Sequence, residues 1–274
     1  MSDDFAPRNG ARHRIRPVAE LLVALRFLTR LPVPFVRTLD APPLDAAMTM
    51  FPLAGAIIGA LTGSVLILAG LAGLPELLTA SLAIAVGLII TGALHEDGLS
   101  DVVDGFGGGH TREQRLDIMR DSRIGAYGAL ALGLLLMARA SLYMSFLELP
   151  PWGAIILIAS AAAFSRALMV DLLWATRPAR ADGLSVLAGR PTRARTLVAL
   201  ALGGIGAGLG GAFVLAPAAG AVALIAAGLS LATVRALAMR KVGGQTGDVC
   251  GAAQVLSELA MLAVYGAAIS LPSS

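Results

Sequence analysis

Pro52-Leu53-Ala54-Gly55-Ala56-Ile57-Ile58-Gly59-Ala60-Leu61-Thr62-Gly63-Ser64-Val65-Leu66-Ile67-Leu68-Ala69-Gly70-Leu71-Ala72-Gly73 contains no charged side chain. A hydrocarbon core of roughly 30 Å needs about 20 apolar residues in a helix, and this run supplies them. It is too long and too uniformly apolar for a strand, and it lacks the period-2 alternation of a membrane barrel. Outward from it, six further stretches have the same character: 77–94, 125–147, 152–173, 197–215, 219–239 and 252–270. Segment 77–94 is short and reads as tilted or partly re-entrant. Only Ala216-Pro217-Ala218 separates the fifth and sixth. The fold class is therefore all-α: a polytopic integral membrane helical bundle of about seven transmembrane helices.

The bulk numbers agree. The 274 residues are 57% hydrophobic and 14% charged, with mean hydropathy +0.79, against roughly 45–50% and about 25% for a soluble domain. This argues against an ordinary soluble enzyme, a disordered chain and a nucleic-acid binder. Glycine is abundant and aromatics are few, which suits helices that approach closely in lipid. The single cysteine, Cys250, excludes an intramolecular disulfide framework. Val18 to Val36 is a shorter apolar stretch holding Glu20, Arg26 and Arg30 and ending in Pro32 and Pro34. It reads as an amphipathic helix on the membrane surface, the alternative being an eighth, poor span. Met1 to Arg16 is basic, but no cleavage pattern follows, so no signal peptide is expected. The chain reads as one domain over 1–274: a basic interfacial segment at 1–50 and a transmembrane bundle at 51–270.

Lysine and arginine alternate along this frame. Seven lie before the first span, four in 95–124, five in 174–196, and Arg235, Arg240 and Lys241 near the loop at 240–251, whereas the loops near 74–76, 148–151 and 216–218 have none. The positive-inside rule places the first group on the cytoplasmic side, which in a bacterium means the inner face of the cell membrane.

Acidic residues concentrate in one of those loops. Leu94-His95-Glu96-Asp97-Gly98-Leu99-Ser100-Asp101-Val102-Val103-Asp104-Gly105-Phe106-Gly107-Gly108-Gly109 spaces Asp97, Asp101 and Asp104 at i, i+4 and i+7. On a helix that puts three carboxylates on one face. Unpaired, they repel; a divalent cation relieves the repulsion, and hard oxygen ligands suit Mg²⁺ or Mn²⁺. The plain alternative is a solvated acidic loop at a helix end. Ionisable groups beside a bilayer are costly and usually functional, which favours a metal site. The twelve-residue ligand pattern of an EF-hand is missing. The glycines from Gly105 to Gly109 are expected to end the helix and free the backbone, either as a phosphate-facing turn or as a linker. Arg120-Asp121-Ser122-Arg123 brings cations suited to phosphate or to membrane anchoring. A second polar island, Gly243-Gly244-Gln245-Thr246-Gly247-Asp248, faces the same compartment, with Asp248 a candidate metal ligand or general base. Glu258, inside the last span, needs a partner, which Arg139 or Arg166 could supply. His95 adjoins the acids as a possible helix cap or substrate contact, and Cys250 reads as a packing residue.

These segments resemble the cobalamin synthase family, the adenosylcobinamide-GDP ribazoletransferases. The resemblance rests on Arg26-Phe27-Leu28-Thr29-Arg30-Leu31-Pro32-Val33-Pro34, Phe51-Pro52-Leu53-Ala54-Gly55, His95-Glu96-Asp97-Gly98-Leu99 with Asp101, Asp104 and Gly105, Ile118-Met119-Arg120-Asp121-Ser122-Arg123-Ile124-Gly125 with Tyr127-Gly128, and Gly243 to Asp248 with Gly251-Ala252. They occur in family order over most of the chain. Ser100 stands where Ala is usual, and Arg120 where Lys is usual.

The resemblance implies Mg²⁺-dependent transfer of the cobinamide phosphate of adenosylcobinamide-GDP to α-ribazole or its 5′-phosphate, with GMP leaving. It agrees with a metal site at Glu96, Asp97, Asp101 and Asp104. In the mechanism expected, Asp121 or Asp248 completes the coordination or accepts the acceptor's proton, and Arg120 and Arg123 stabilise phosphate oxygens. His95, Ser122, Gln245 and Thr246 are further candidate substrate contacts. The partners expected are these two substrates and the lipid bilayer, with no nucleic acid, and a homo-oligomer or association with other cobalamin-assembly enzymes remains open. Three rival readings are compatible with the sequence: a CDP-alcohol phosphotransferase-like enzyme, a transporter, and a non-catalytic membrane subunit.

Overall fold

In the computed structural model, residues 16–33 and 41–270 are described, and among them every regular element is a helix. Six helices are long and apolar enough to cross a bilayer. Leu44–Ala47 (α2), a 3₁₀ turn at Met48–Met50 and Phe51–Leu71 (α3) make the first of these, 28 residues in all. Ala126–Phe146 (α7), Pro151–Ala175 (α8), Arg193–Val214 (α10), Pro217–Lys241 (α11) and Gly247–Ser270 (α12) are the others. Glu76–Thr91 (α4) and Leu94–Gly108 (α5) pass the same test only as a pair bent by 91°.

Small residues set the packing. Gly55, Gly59 and Gly63 line one stripe of α3 at four-residue spacing. A Cβ on Gly59 would lie 2.7 Å from the Ala159 Cα, and one on Gly63 would lie 3.0 Å from the Ile155 Cα, both on α8. The α3–α8 crossing is thus a backbone-to-backbone contact of the kind that drives helix association in lipid. Gly211 of α10 and Gly220 of α11 meet in the same way, at 2.9 Å.

The short segment 77–94 resolves into α4 and a sharp turn. Sixteen residues span about 24 Å, less than the hydrocarbon thickness. Gly92 (φ 65°) and Ala93 (φ 54°) then both adopt left-handed conformations. A Cβ on Gly92 would lie 2.7 Å from Nε of Arg30, whose backbone N–H donates to the Ile90 carbonyl at 2.7 Å. The bend turns α5 across the bundle end instead of prolonging α4.

The N-terminal helix, Pro17–Leu28 (α1), is shorter than the expected Val18–Val36, of which residues 34–36 lie outside the described residues. Its Glu20 is fully buried and accepts from Arg195 of α10 at 2.9 Å. α1 is therefore pinned to the bundle by an ion pair as well as by its apolar face.

The glycine run does not end α5 where expected. The helix continues through Gly105 and Gly107 to Gly108 and is capped at Gly109. Packing overrides the low helix propensity of glycine. A Cβ at Gly105 would meet the Met119 side chain and the Arg115 carbonyl, and one at Gly107 would sit 3.0 Å from the Tyr127 ring. These glycines admit Arg112–Ile118 (α6) and the start of α7, so they do not form a phosphate-facing turn.

The polar loops meet at one end. Arg112 Nε donates to the Val242 carbonyl at 2.9 Å, Arg115 Nη1 to Lys241 O at 3.1 Å, and Lys241 Nζ to Phe106 O at 3.1 Å. Arg177 Nε reaches Gly243 O at 3.0 Å, and Arg120 pairs with Asp182 at 2.5 Å. The segments that the lysine and arginine count groups together are cross-bonded into one polar cap.

Candidate active site

α5 lies under this cap with α12 crossing it. Gly98 makes the crossing possible: a Cβ there would stand 2.8 Å from the Asp248 carbonyl oxygen and 2.9 Å from its Cα. Gly251 does the same from the other side, 3.0 Å from the His95 carbonyl. Two glycines thus bring Asp97 and Asp248, distant in sequence, to one cleft.

The cleft holds about 90 Å³ of free space. Asp97 is exposed and Asp248 and Arg180 are partly exposed, so they mark its mouth. Leu28, Phe51 and Leu173 are buried and form its floor. Arg180 Nη2 lies 3.6 Å from Asp248 Oδ2, which also accepts from the Thr246 hydroxyl at 3.1 Å. α5 is too short and too polar to cross a bilayer alone, so we place its acids outside the spans. There, partial burial and the charges of Asp97, Asp248 and Asp104 push the Asp101 carboxyl up to about 7, with Arg180 opposing. This crowding of negative charge is the condition that a bound cation relieves.

Asp104 has different surroundings. It is buried and accepts from the backbone N–H of Gly125 at 2.8 Å and of Gly128 at 2.9 Å. It therefore serves the amide groups at the start of α7, which have no partner within their own helix. Glu96 is not brought to the group. It turns inward and accepts from Arg139 Nη1 at 2.6 Å. Arg139 also approaches Glu258 at 3.5 Å, Arg166 reaches Glu258 at 3.4 Å, and Gln254 Nε2 donates to the same carboxylate at 2.6 Å. Both arginines considered for Glu258 are thus its partners. His95, buried beside Glu96, lines the cleft on its other side.

The remaining candidates divide. Asp121 and Arg123 form a local pair at 2.6 Å on an exposed loop, and the guanidinium holds the Asp121 carboxyl down at about 2. Ser122 between them is exposed. Arg120 is engaged by Asp182. Gln245 and Thr246 are buried: Gln245 exchanges backbone hydrogen bonds with Arg177 and Ala179 at 2.9 and 2.8 Å, and the Thr246 hydroxyl accepts from Val249 N–H at 3.2 Å, capping α12. These two hold the Asp248 segment in place and do not line the cleft. Arg180 and the apolar floor carried no signal in the sequence beyond a basic loop and core-like residues.

Among the described residues, no three His, Cys, Asp or Glu side chains converge on a point that could hold a metal ion alone. Magnesium is commonly held by one or two carboxylates, with substrate phosphates and water completing the octahedron. Asp97 and Asp248, which line the cleft, fit the protein's share of such a site, with Asp101 close enough to feel both charges; Glu96, bound to Arg139, does not.

The chain is similar to proteins named adenosylcobinamide-GDP ribazoletransferase from Azorhizobium caulinodans (45% identical, 90% of this chain and 95% of the relative), Mesorhizobium japonicum (42%, 92% and 94%) and Brucella ovis (42%, 89% and 95%). No solved structure matches it at a significant level. The family described as cobalamin-5-phosphate synthase matches residues 20–266, a range that contains every residue lining the cleft, and the chain belongs to that family.

Proposed function

We propose that this membrane protein transfers the adenosylcobinamide phosphate of adenosylcobinamide-GDP to α-ribazole or its 5′-phosphate, releasing GMP. The observation that carries the reading is the meeting of Asp97 and Asp248 across the Gly98–Gly251 crossing, inside a chain matched to its family from 20 to 266.

In the reaction, an acceptor ribose hydroxyl oxygen forms a bond to the phosphorus on the cobinamide side. The phosphoanhydride P–O bond breaks, and its electron pair leaves with GMP. The hydroxyl proton passes to a carboxylate at the cleft mouth; Asp248, steadied by Arg180 and Thr246, is the residue we assign. Asp97 and Asp101, with Asp248 beside them, are the residues that would hold Mg²⁺. A bound Mg²⁺ neutralises pyrophosphate charge that these acids would otherwise repel. Asp104 positions the start of α7 against α5. The buried Arg139–Glu96–Glu258–Arg166 group fixes α5, α7, α8 and α12 relative to one another. We place the polar cap, and with it the cleft, on the cytoplasmic side of a bacterial inner membrane, on the strength of the lysine and arginine distribution.

The test is purified protein in nanodiscs given adenosylcobinamide-GDP and α-ribazole with and without Mg²⁺. Release of GMP with formation of the cobalamin product, only with the cation, is expected. A CDP-alcohol phosphotransferase would release no GMP from this donor, and a transporter would move substrate without converting it.

A further inference from the structure

We propose that the apolar floor of the cleft is the binding pocket for the flat aromatic base of the nucleoside acceptor; this rests on the transferase reading above. Phe27 of α1 and Phe51 of α3 stack with centroids 5.7 Å apart and planes 15° from parallel. Together with Leu28, Met169 and Leu173 they form a surface that offers apolar contact and no charged group. The fourth wall is a short helix, Leu184–Ala188 (α9), which contributes Leu184 and Ala188 and is flanked by Gly183 and Gly189 at φ 102° and 80°. Asp97, Asp248 and Arg180 sit at the mouth.

Size and polarity choose among the parts of the two substrates. The free space of the cleft, about 90 Å³, leaves room for a small ring system only, whereas a corrinoid macrocycle with its amide arms is far larger. Guanine carries a carbonyl, a ring N–H and an amino group, more polar edge than Ser185 and His95, the neutral polar side chains of the lining, can match. A phosphate would find no cation on the floor, since Arg180 stands at the mouth. An aromatic base with few polar edge atoms meets neither objection. Seated there, its sugar hydroxyls point to the mouth, where the carboxylates lie. The cleft then orders the reactants: base inside, ribose at the rim, pyrophosphate and corrinoid outside.

Two variants of the peripheral α9 test this in the full-length protein. Ala188→Phe fills the pocket, and Leu184→Ala widens it. Binding of α-ribazole alone is measured by equilibrium dialysis, and acceptor and donor KM are measured in turnover. Ala188→Phe is expected to weaken α-ribazole binding and raise its KM at least about tenfold, with donor KM within about twofold, since even one methylene in an apolar pocket is worth roughly 10–200-fold and a phenyl ring takes up far more of the space. Leu184→Ala is expected to reduce severalfold the discrimination between the α-ribazole base and a bulkier one. Wild-type acceptor binding in Ala188→Phe, or a change in donor KM instead, would overturn the assignment. So would unchanged base preference in Leu184→Ala. A wild-type protein that binds α-ribazole yet releases no GMP would sink the transferase reading while leaving the pocket standing.

Discussion

Asp104 accepts two backbone hydrogen bonds at 2.8 and 2.9 Å, while Asp97, two turns earlier on the same face, is exposed at the cleft mouth. Equal charge in one stripe therefore does unequal work. Asp104→Asn keeps the shape but removes the anion that receives both amides. It is expected to lower stability by about 1–3 kcal/mol, read as a lower Tm in detergent. Asp97→Asn is expected to abolish GMP release with no loss of Tm. A wild-type Tm in the Asp104 variant would refute the division. Arg139 is the second residue-scale case, because it holds Glu96 and Glu258 together while buried. Arg139→Met strands buried carboxylates and is expected to cost about 3–5 kcal/mol; adding Glu96→Gln should restore part of it. Additive losses in the double variant would mean that the pair is not coupled. The i, i+4, i+7 spacing of the three aspartates is legible in the sequence because α5 is a helix throughout. Glu96 is where the reading from sequence fails: it joins Glu96 to the metal site, although at about 100° per residue that side chain lies roughly a quarter turn off the aspartate face and turns to Arg139. What could not be read was Arg180, since nothing local distinguishes it from the other cations of its loop.

α5 works only because of two backbone features that side-chain patterns do not announce. The first is the left-handed pair Gly92–Ala93, which breaks an apolar run into α4 and α5 with a 91° bend. Hydropathy marks 77–94 as one short span because it registers apolarity and not φ. The second is the Gly98–Gly251 contact that sets α5 against α12. Gly98→Leu would push the Asp248 backbone away from α5 and so part Asp97 from Asp248. Its expected signature is a loss of kcat of at least about 100-fold, as misplacement by about 1 Å can cause, with membrane insertion and α-ribazole binding retained. Full turnover in that variant would show that the two acids need not meet. The glycine run from Gly105 shows the converse limit. Composition there predicts a helix end, but close approach to α6 and to Tyr127 keeps the helix going, and such contacts come from parts of the chain the local sequence does not contain.

At the scale of the whole molecule, the spans were legible because lipid imposes length and apolarity on each one separately, and the grouping of the polar loops because charge asymmetry accumulates loop by loop. The hydrogen bonds joining 106–120, 177–182 and 241–243 agree with that grouping: loops that far apart in the chain can cross-bond only if they lie at one end of the bundle. The geometry fixes which loops share an end but not which compartment that end faces; the seven cations before the first span argue for the cytoplasm. This leads to a test by cysteine accessibility. Cys250 is buried and alone, so a Cys250→Ala background carries no other thiol. Into it go Glu113→Cys, on α6 within the polar cap and 72% exposed, or Glu148→Cys, in the α7–α8 loop at the other end. In intact spheroplasts a membrane-impermeant maleimide is expected to label position 148 and spare 113, and both should label once the membrane is opened. Labelling of 113 from outside would place the cleft in the wrong compartment for a substrate carrying GDP, whereas labelling of both from outside would mean that α7 does not cross. Since α7 joins those two loops, its crossing and the orientation of the site stand or fall in one experiment.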